Sequence, residues 1–195
     1  VTPGAIEAAL TRHRPRTLPP TRGQRQAAVV VPFVEREVGL SLLFILRPAS
    51  MPAHAGQVAF PGGVAEPDDE DSWRTATREL HEELGVADDR LRRLGRLDDI
   101  ATGTGFLVTP WVAWVDPSAR IVPAPREVDE VVEVPLRVLA DPARRRTMRG
   151  RWRADAPAWP MAFYLTDRHV IWGATAHMLT DLLALLARQE PIATR

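Results

Sequence analysis

Glu79, Glu82 and Glu83 stand at i, i+3 and i+4 in the run Arg78-Glu79-Leu80-His81-Glu82-Glu83-Leu84. If the run is helical, that spacing sets three carboxylates on one face within a turn of each other. Such neighbours repel by a few tenths of a kcal/mol per pair, roughly. They also lie toward the end of the helix, where the macrodipole disfavours anions. A cation is therefore expected beside them. Arg78 is one candidate, because it reaches Glu82 at i+4. A divalent ion is the other: clustered carboxylate oxygens suit Mg²⁺ or Mn²⁺, which take hard ligands and leave positions for water and phosphate. On its own, an acidic helix face is most often just solvated.

The preceding loop makes the stripe more specific. Phe60-Pro61-Gly62-Gly63 closes a short apolar run. Adjacent glycines let backbone approach a ligand closely, and their N–H groups can hold phosphate oxygens. An acidic, turn-rich loop over 64–71 then leads into a helix predicted from about Ser72 to Leu84, capped by Asp71 or Ser72 and ended by Gly85. Trp73, Ala76, Leu80 and Leu84 fall opposite the glutamates and are predicted to face the core.

The other elements must place this loop and helix. Thr2 and Pro3 start a helix with Ile6, Ala9 and Leu10 on one face. Pro15, Pro19 and Pro20 mark an extended arm, so residues 1–26 read as helix plus arm. Runs 27–34 and 38–46 are paired strands, and Gln57–Phe60 is a short one. Leu94–Ile100, Phe106–Val115 and Val128–Val134 are further strands. Residues 141–158 read as a polar excursion rich in Arg. Met161–Leu165 and His169–Ile171 form a hairpin before a last helix from Gly173 to Arg188. Interleaved strands and helices predict an α/β or α+β fold in one domain spanning 1–195.

Composition excludes several chemistries. The 195 residues carry 25 basic and 25 acidic side chains, so no global field draws nucleic acid or an anionic membrane. Cysteine is absent, which removes disulfides, thiolate catalysis and thiolate-bound metals. No Lys occurs, which removes a Lys nucleophile and a P-loop Lys. No stretch reaches the roughly 18 apolar residues of a membrane span. A soluble, cytoplasmic protein is the expectation.

The window 56–86 resembles the Nudix box, G-x5-E-x7-R-E-U-x-E-E-x-G-U with U apolar. Glu70, Arg78, Glu79, Glu82, Glu83, Gly85 and Val86 match the second part. Gly63 to Glu70 encloses six residues rather than five, so either Glu70 or Asp69 fills the place of the loop carboxylate. The resemblance implies a Nudix fold, a mixed β-sheet sandwiched between helices, with residues 27–188 as its body. It implies Glu79, Glu82 and Glu83 as ligands of Mg²⁺ or Mn²⁺, with Arg78 holding the glutamates. Gly62 and Gly63 would shape the loop against the substrate or the metal, and Glu70 and Gly85 would be structural. It further implies hydrolysis of a nucleoside diphosphate linked to another group. The base is expected at Glu83 or Glu82, with a downstream acid, Glu127 or Glu130, as the alternative or as a further ligand.

The stretch Leu43–Gly63 is similar to the upstream signature of coenzyme A diphosphatases. Arg47, His54, Gly56, Gln57, Val58, Phe60, Pro61, Gly62 and Gly63 fit it, whereas Pro48 and Pro52 replace a small polar and a basic residue. The implied substrate is coenzyme A (CoA) or a derivative, with Arg47 and His54 among the groups that bind it. A Nudix hydrolase of a nucleotide sugar, dinucleotide or oxidised NTP is the second reading, favoured by Pro52. A non-catalytic binding domain is the third, against which the intact carboxylate set argues. Arg144, Arg145, Arg146, Arg149, Arg151 and Arg153, with Trp152 and Trp159, form a stretch that either meets the phosphates of such a substrate or is simply solvated. His13, His169 and His177 are read as structural. The expected partner is a small CoA-like molecule, with no nucleic acid and no membrane, and a homodimer is compatible with the sequence.

Overall fold

Side-chain alternation along two long strands divides the interior into two layers. In β1 (Arg25–Arg36), Val31 and Phe33 face one way while Ala28 and Val30 face the other. In β7 (Phe106–Val115), Val108 and Val112 join the first layer, and Ala113 and Val115 the second. A sheet with both faces apolar must be covered on both sides. The computed structural model, which describes residues 2–37, 39–49, 55–151 and 158–188, meets that demand with helices on each face.

On the first face lie α1 (Pro3–Arg12) and α4 (Gly173–Ala187), through Ile6, Leu10, Leu179 and Leu182. On the second lies α2 (Ser72–Leu84), through Ala76, Leu80 and Leu84, each fully buried. Alanines 28, 76 and 113 meet at this second layer, and their small size lets the helix sit close to the sheet.

The remaining elements of the sheet are β2 (Gly39–Leu46), β3 (Val58–Ala59), β4 (Gly62–Val64), β5 (Leu91–Arg96), β6 (Ile100–Ala101) and β8 (Glu130–Pro135). Their order is β3-β2-β1-β7-β5, with β4 on β1, β6 on β7 and β8 on β2. β1 and β7 run parallel and the other pairs antiparallel, so the sheet is mixed as expected. A short helix, α3 (Leu136–Ala140), follows β8. β9 (Arg145–Gly150), β10 (Trp159–Leu165) and β11 (Val170–Ile171) make a second, antiparallel sheet, whose Tyr164 and Ile171 are buried in the α4 layer.

Three expectations change. The predicted strand Leu94–Ile100 breaks into β5 and β6, because Asp98 and Asp99 between them bind the N-terminal arm. Asp98 Oδ1 accepts from Arg16 N at 3.0 Å, Asp99 Oδ2 accepts from Leu18 N at 2.9 Å, and Asp99 N donates to Arg16 O at 2.9 Å. The polar excursion 141–158 contains strand β9, paired with β10 from Arg145↔Tyr164 to Gly150↔Trp159. β4, two of whose three residues are glycines of low strand propensity, exists because it pairs with Ala27–Val29. Among the described residues, no helix is long and apolar enough to cross a membrane.

Candidate active site

The catalytic-looking helix begins and ends where its sequence requires. Asp71 caps it by accepting from Arg74 N at 2.8 Å, and Gly85 ends it in the left-handed conformation at φ 68°. A cap of this kind contributes about 1 kcal/mol. The frame fixes which residues face the sheet and which face the diglycine turn.

Gly62 and Gly63 lie directly against the carboxylates. Gly62 N donates to Glu83 Oε2 at 2.9 Å. Gly62 itself has φ +152°, and a Cβ there would stand 2.6 Å from Val29 Cα, so backbone blocks any side chain. A Cβ on Gly63 would fall on the Glu79 carboxylate. The two glycines therefore act differently: one lets β4 lie close against β1 and offers an N–H, the other leaves room for Glu79.

Arg78 organises the face. Its Nε donates to Asp69 Oδ1 at 3.1 Å. Its Nη2 donates to Asp69 Oδ2 at 3.1 Å and to Val64 O at 3.0 Å. Its Nη1 donates to Glu79 Oε1 and Glu82 Oε2, each at 3.1 Å. All five guanidinium N–H groups are thereby used, which no ammonium could do. The Arg78 bond holds the Asp69 carboxyl down to about 2. Glu70 is exposed while the Asp69 side chain is only 5% exposed, so of the two loop carboxylates left open by the sequence, Asp69 is the one that meets the arginine.

The glutamates differ among themselves. Burial pushes Glu83 up to about 8, against the lowering effects of Gly62 N–H and of Arg47, with the charges of Glu79 and Glu127 raising it further. Arg47 Nη1 lies 3.7 Å from Glu83 Oε1, and Arg47 Nε is buried without a hydrogen-bond partner. Burial also raises Glu79; Arg78 opposes it, and Glu82 and Glu127 add to it. Glu82 is half exposed.

The downstream acids separate. Glu127 acts on both Glu79 and Glu83 through its charge. Its loop docks on the end of α2, where Val122 N donates to Leu84 O at 2.8 Å and Ala124 N donates to Glu83 O at 2.9 Å. Glu130 sits in β8 in another cluster, bonded by Arg168 at 3.0 and 3.2 Å and 3.3 Å from His169 Nε2. Of the two downstream acids, Glu127 is thus the one whose charge reaches the α2 carboxylates. Sequence spacing alone could not choose between them, because the choice depends on how the loop docks.

Other expected site residues fall elsewhere. His54, Pro52, Trp152 and Arg153 lie outside the described residues, as does the side chain of Trp159. Arg145, Arg146 and Arg149 belong to the second sheet, where Arg145 lies over the Tyr164 ring at 5.8 Å, and Arg144, in the turn just before it, pairs with Asp167 at 2.7 Å. His13, His169 and His177 each face a carboxylate, Asp98, Glu130 and Asp181 respectively.

The donor set fits a hard divalent cation. Its atoms are all carboxylate oxygens; Glu83 is buried and Glu79 partly so, with more negative charge around them than Arg78 and Arg47 balance. Among the described residues no three such groups yet close on a single point. Glu82 is half exposed and is held on the same face by Arg78 Nη1 at 3.1 Å.

Known proteins are similar to this chain in sequence and in fold. Residues 23–154 match the NUDIX domain family. The uncharacterized Nudix hydrolase NudL of Photorhabdus laumondii is 35% identical over 167 residues, which cover 84% of this chain and 88% of that protein. That of Pectobacterium atrosepticum is 34% identical over 183 residues, covering 91% and 93%. A crystal structure of a MutT/nudix family protein from Enterococcus faecalis shares the fold with a TM-score of 0.54 at 15% identity, over 96% of this chain and 74% of that one.

Proposed function

The chain belongs to the Nudix family and is a Nudix pyrophosphohydrolase, and from that premise we propose that it cleaves the diphosphate of CoA or a CoA derivative. The products would be 3′,5′-ADP and 4′-phosphopantetheine or its acyl form. One observation carries the reading most: the diglycine turn that ends the CoA-type signature, Gly62-Gly63, touches Glu83 and Glu79 directly. The signature and the carboxylate face thus form one site, with Arg47 beside Glu83.

In this reading Glu79, Glu82 and Glu83, with Glu127 as a fourth carboxylate, hold Mg²⁺ or Mn²⁺. The bound ion supplies charge neutralisation at the diphosphate and a water of lowered pKa. The protein does the rest. Glu83 Oε2 is fixed by Gly62 N–H, which leaves Oε1 to take a proton from the attacking water. Arg78 keeps Glu79 and Glu82 on the face. Arg47, whose Nη1 stands beside Glu83, offers its outer guanidinium N–H groups to a phosphate oxygen. The whole length 1–195 reads as one domain, because α1 and α4, at opposite ends of the chain, share a core layer. A cytoplasmic address belongs to the same proposal.

A second reading, a nucleotide sugar or dinucleotide substrate, is favoured by Pro52 in place of the signature's basic residue. Parallel turnover of CoA, ADP-ribose and diadenosine polyphosphates with Mg²⁺ and Mn²⁺, with products identified by mass, separates the two. The CoA reading predicts phosphopantetheine and 3′,5′-ADP at the highest kcat/KM. Preferential turnover of either other class overturns it.

A further inference from the structure

The box pattern would assign its loop carboxylate to Glu70, which precedes Arg78 by the regular seven intervening residues. The geometry points elsewhere. Counted from Gly63, the regular five residues, 64–68, lead to Asp69, and eight more separate Asp69 from Arg78. The extra residue of this chain therefore lies on the helix side of the acid, between Asp69 and the cap Asp71. It forms an exposed step, Glu70, at a place where an added loop residue costs little.

We propose that Asp69, and not Glu70, is the positioning residue of this site. It fixes the Arg78 guanidinium so that Nη1 stands between Glu79 and Glu82. Two carboxylate oxygens on Nε and Nη2 define the plane of the guanidinium, as a bidentate pair does. Val64 O takes the second N–H of Nη2, and Asp69 Oδ2 also accepts from Glu66 N at 2.9 Å. Arg78 therefore staples both ends of the loop 64–69, one at the Val64 carbonyl and the other at Asp69. That loop continues directly from Gly63, against which Glu79 rests. Asp is one methylene shorter than Glu, and its position one residue earlier in the chain brings it to the arginine without a longer arm.

Loss of the pair leaves Arg78 attached to Val64 O and to the glutamates alone. The guanidinium can then follow Glu79 and Glu82 instead of holding them. Asp69 touches neither substrate nor reacting atoms in this account; it acts through Arg78. The inference rests on the hydrolase reading for its effect on turnover, but not for its effect on Arg78.

The test uses the full chain with Asp69→Asn, Asp69→Glu, Glu70→Gln and a deletion of Glu70. In metal-free protein, NMR should show a protected, downfield-shifted Arg78 Nε–H signal in the wild type, in Glu70→Gln and in the deletion, and its loss in Asp69→Asn. Mn²⁺ affinity, followed by paramagnetic resonance, should fall about tenfold or more in Asp69→Asn, with kcat falling by a similar factor and KM changing less than about threefold. Asp69→Glu should recover most of both, since the extra residue gives the loop slack. An Arg78 signal and Mn²⁺ affinity unchanged in Asp69→Asn, or lost in Glu70→Gln, overturn the proposal. If the wild type turns over no diphosphate, the hydrolase reading fails, and the NMR and Mn²⁺ arms still decide the role of Asp69.

Discussion

Two charged stretches of this chain look equally eventful as text and fold to opposite ends. Along α2, each charge has a fixed counterpart: Gly62 N–H on Glu83, Arg78 on Asp69, Glu79 and Glu82. Along β9 and the turn before it, the arginines meet backbone, a ring or a surface acid: Arg146 the carbonyls of Ala143 and Arg145, Arg145 the Tyr164 ring, and Arg144 Asp167. The first stretch is defined by spacing and by neighbours on other elements. The second is defined by density alone. Density of charge favours solvent; spacing that matches a helical turn and a glycine loop specifies a site.

That contrast breaks most sharply at Glu83. Glu83→Gln should lower turnover by about 10² to 10⁴ at unchanged fold, measured by steady-state assay beside circular dichroism. Arg78→Lys comes next: a point charge with three donors cannot replace the five bonds of the guanidinium, and a tenfold to hundredfold loss of roughly this size is expected in Mn²⁺ affinity and turnover. Gly63→Ala should follow at about tenfold, because its Cβ would displace the Glu79 carboxylate while leaving the core intact.

A pH series sharpens the comparison without touching the substrate. Glu83 rises from an ordinary 4.5 to about 8 on folding, so across that window the folded chain holds a proton that the unfolded chain has released. Metal-free stability should therefore fall as pH rises from 4.5 to 8, less so in Glu83→Gln, and added Mn²⁺ should flatten the curve. Asp69 has the opposite sign. Its carboxyl drops from 3.8 to about 2, so its stabilisation is present above 3.8 and is lost as pH falls through 2. Denaturant midpoints across pH measure both. The smallest effect belongs to β9: replacing Arg145, Arg146 and Arg149 together by Ala should change kcat/KM less than about twofold. A tenfold loss there would return the stretch to the substrate.

The helix 72–84, its caps and its buried face were legible because periodicity, Asp71 and Gly85 are local signals. The first helix and the strand Phe106–Val115 were legible for the same reason. What escaped depended on partners distant in sequence. β4 is a strand only because Ala27–Val29 lie alongside it, and β9 only because β10 returns to it. The separation of Glu127 from Glu130 turns on the loop that caps α2 through Val122 and Ala124. Asp69 and Glu70 stand level in the sequence because a motif counts residues, whereas the arginine selects the carboxylate that reaches it.

The claim beneath all of this is that the α2 carboxylates exist to bind a divalent ion next to the diglycine turn. Paramagnetic titration of Mn²⁺ into the wild type and into a Glu79→Gln, Glu82→Gln, Glu83→Gln triple variant tests it most directly. The account predicts bound Mn²⁺ in the wild type and a loss of affinity of at least tenfold, roughly, in the variant. Equal binding by both proteins, or none by either, would contradict it.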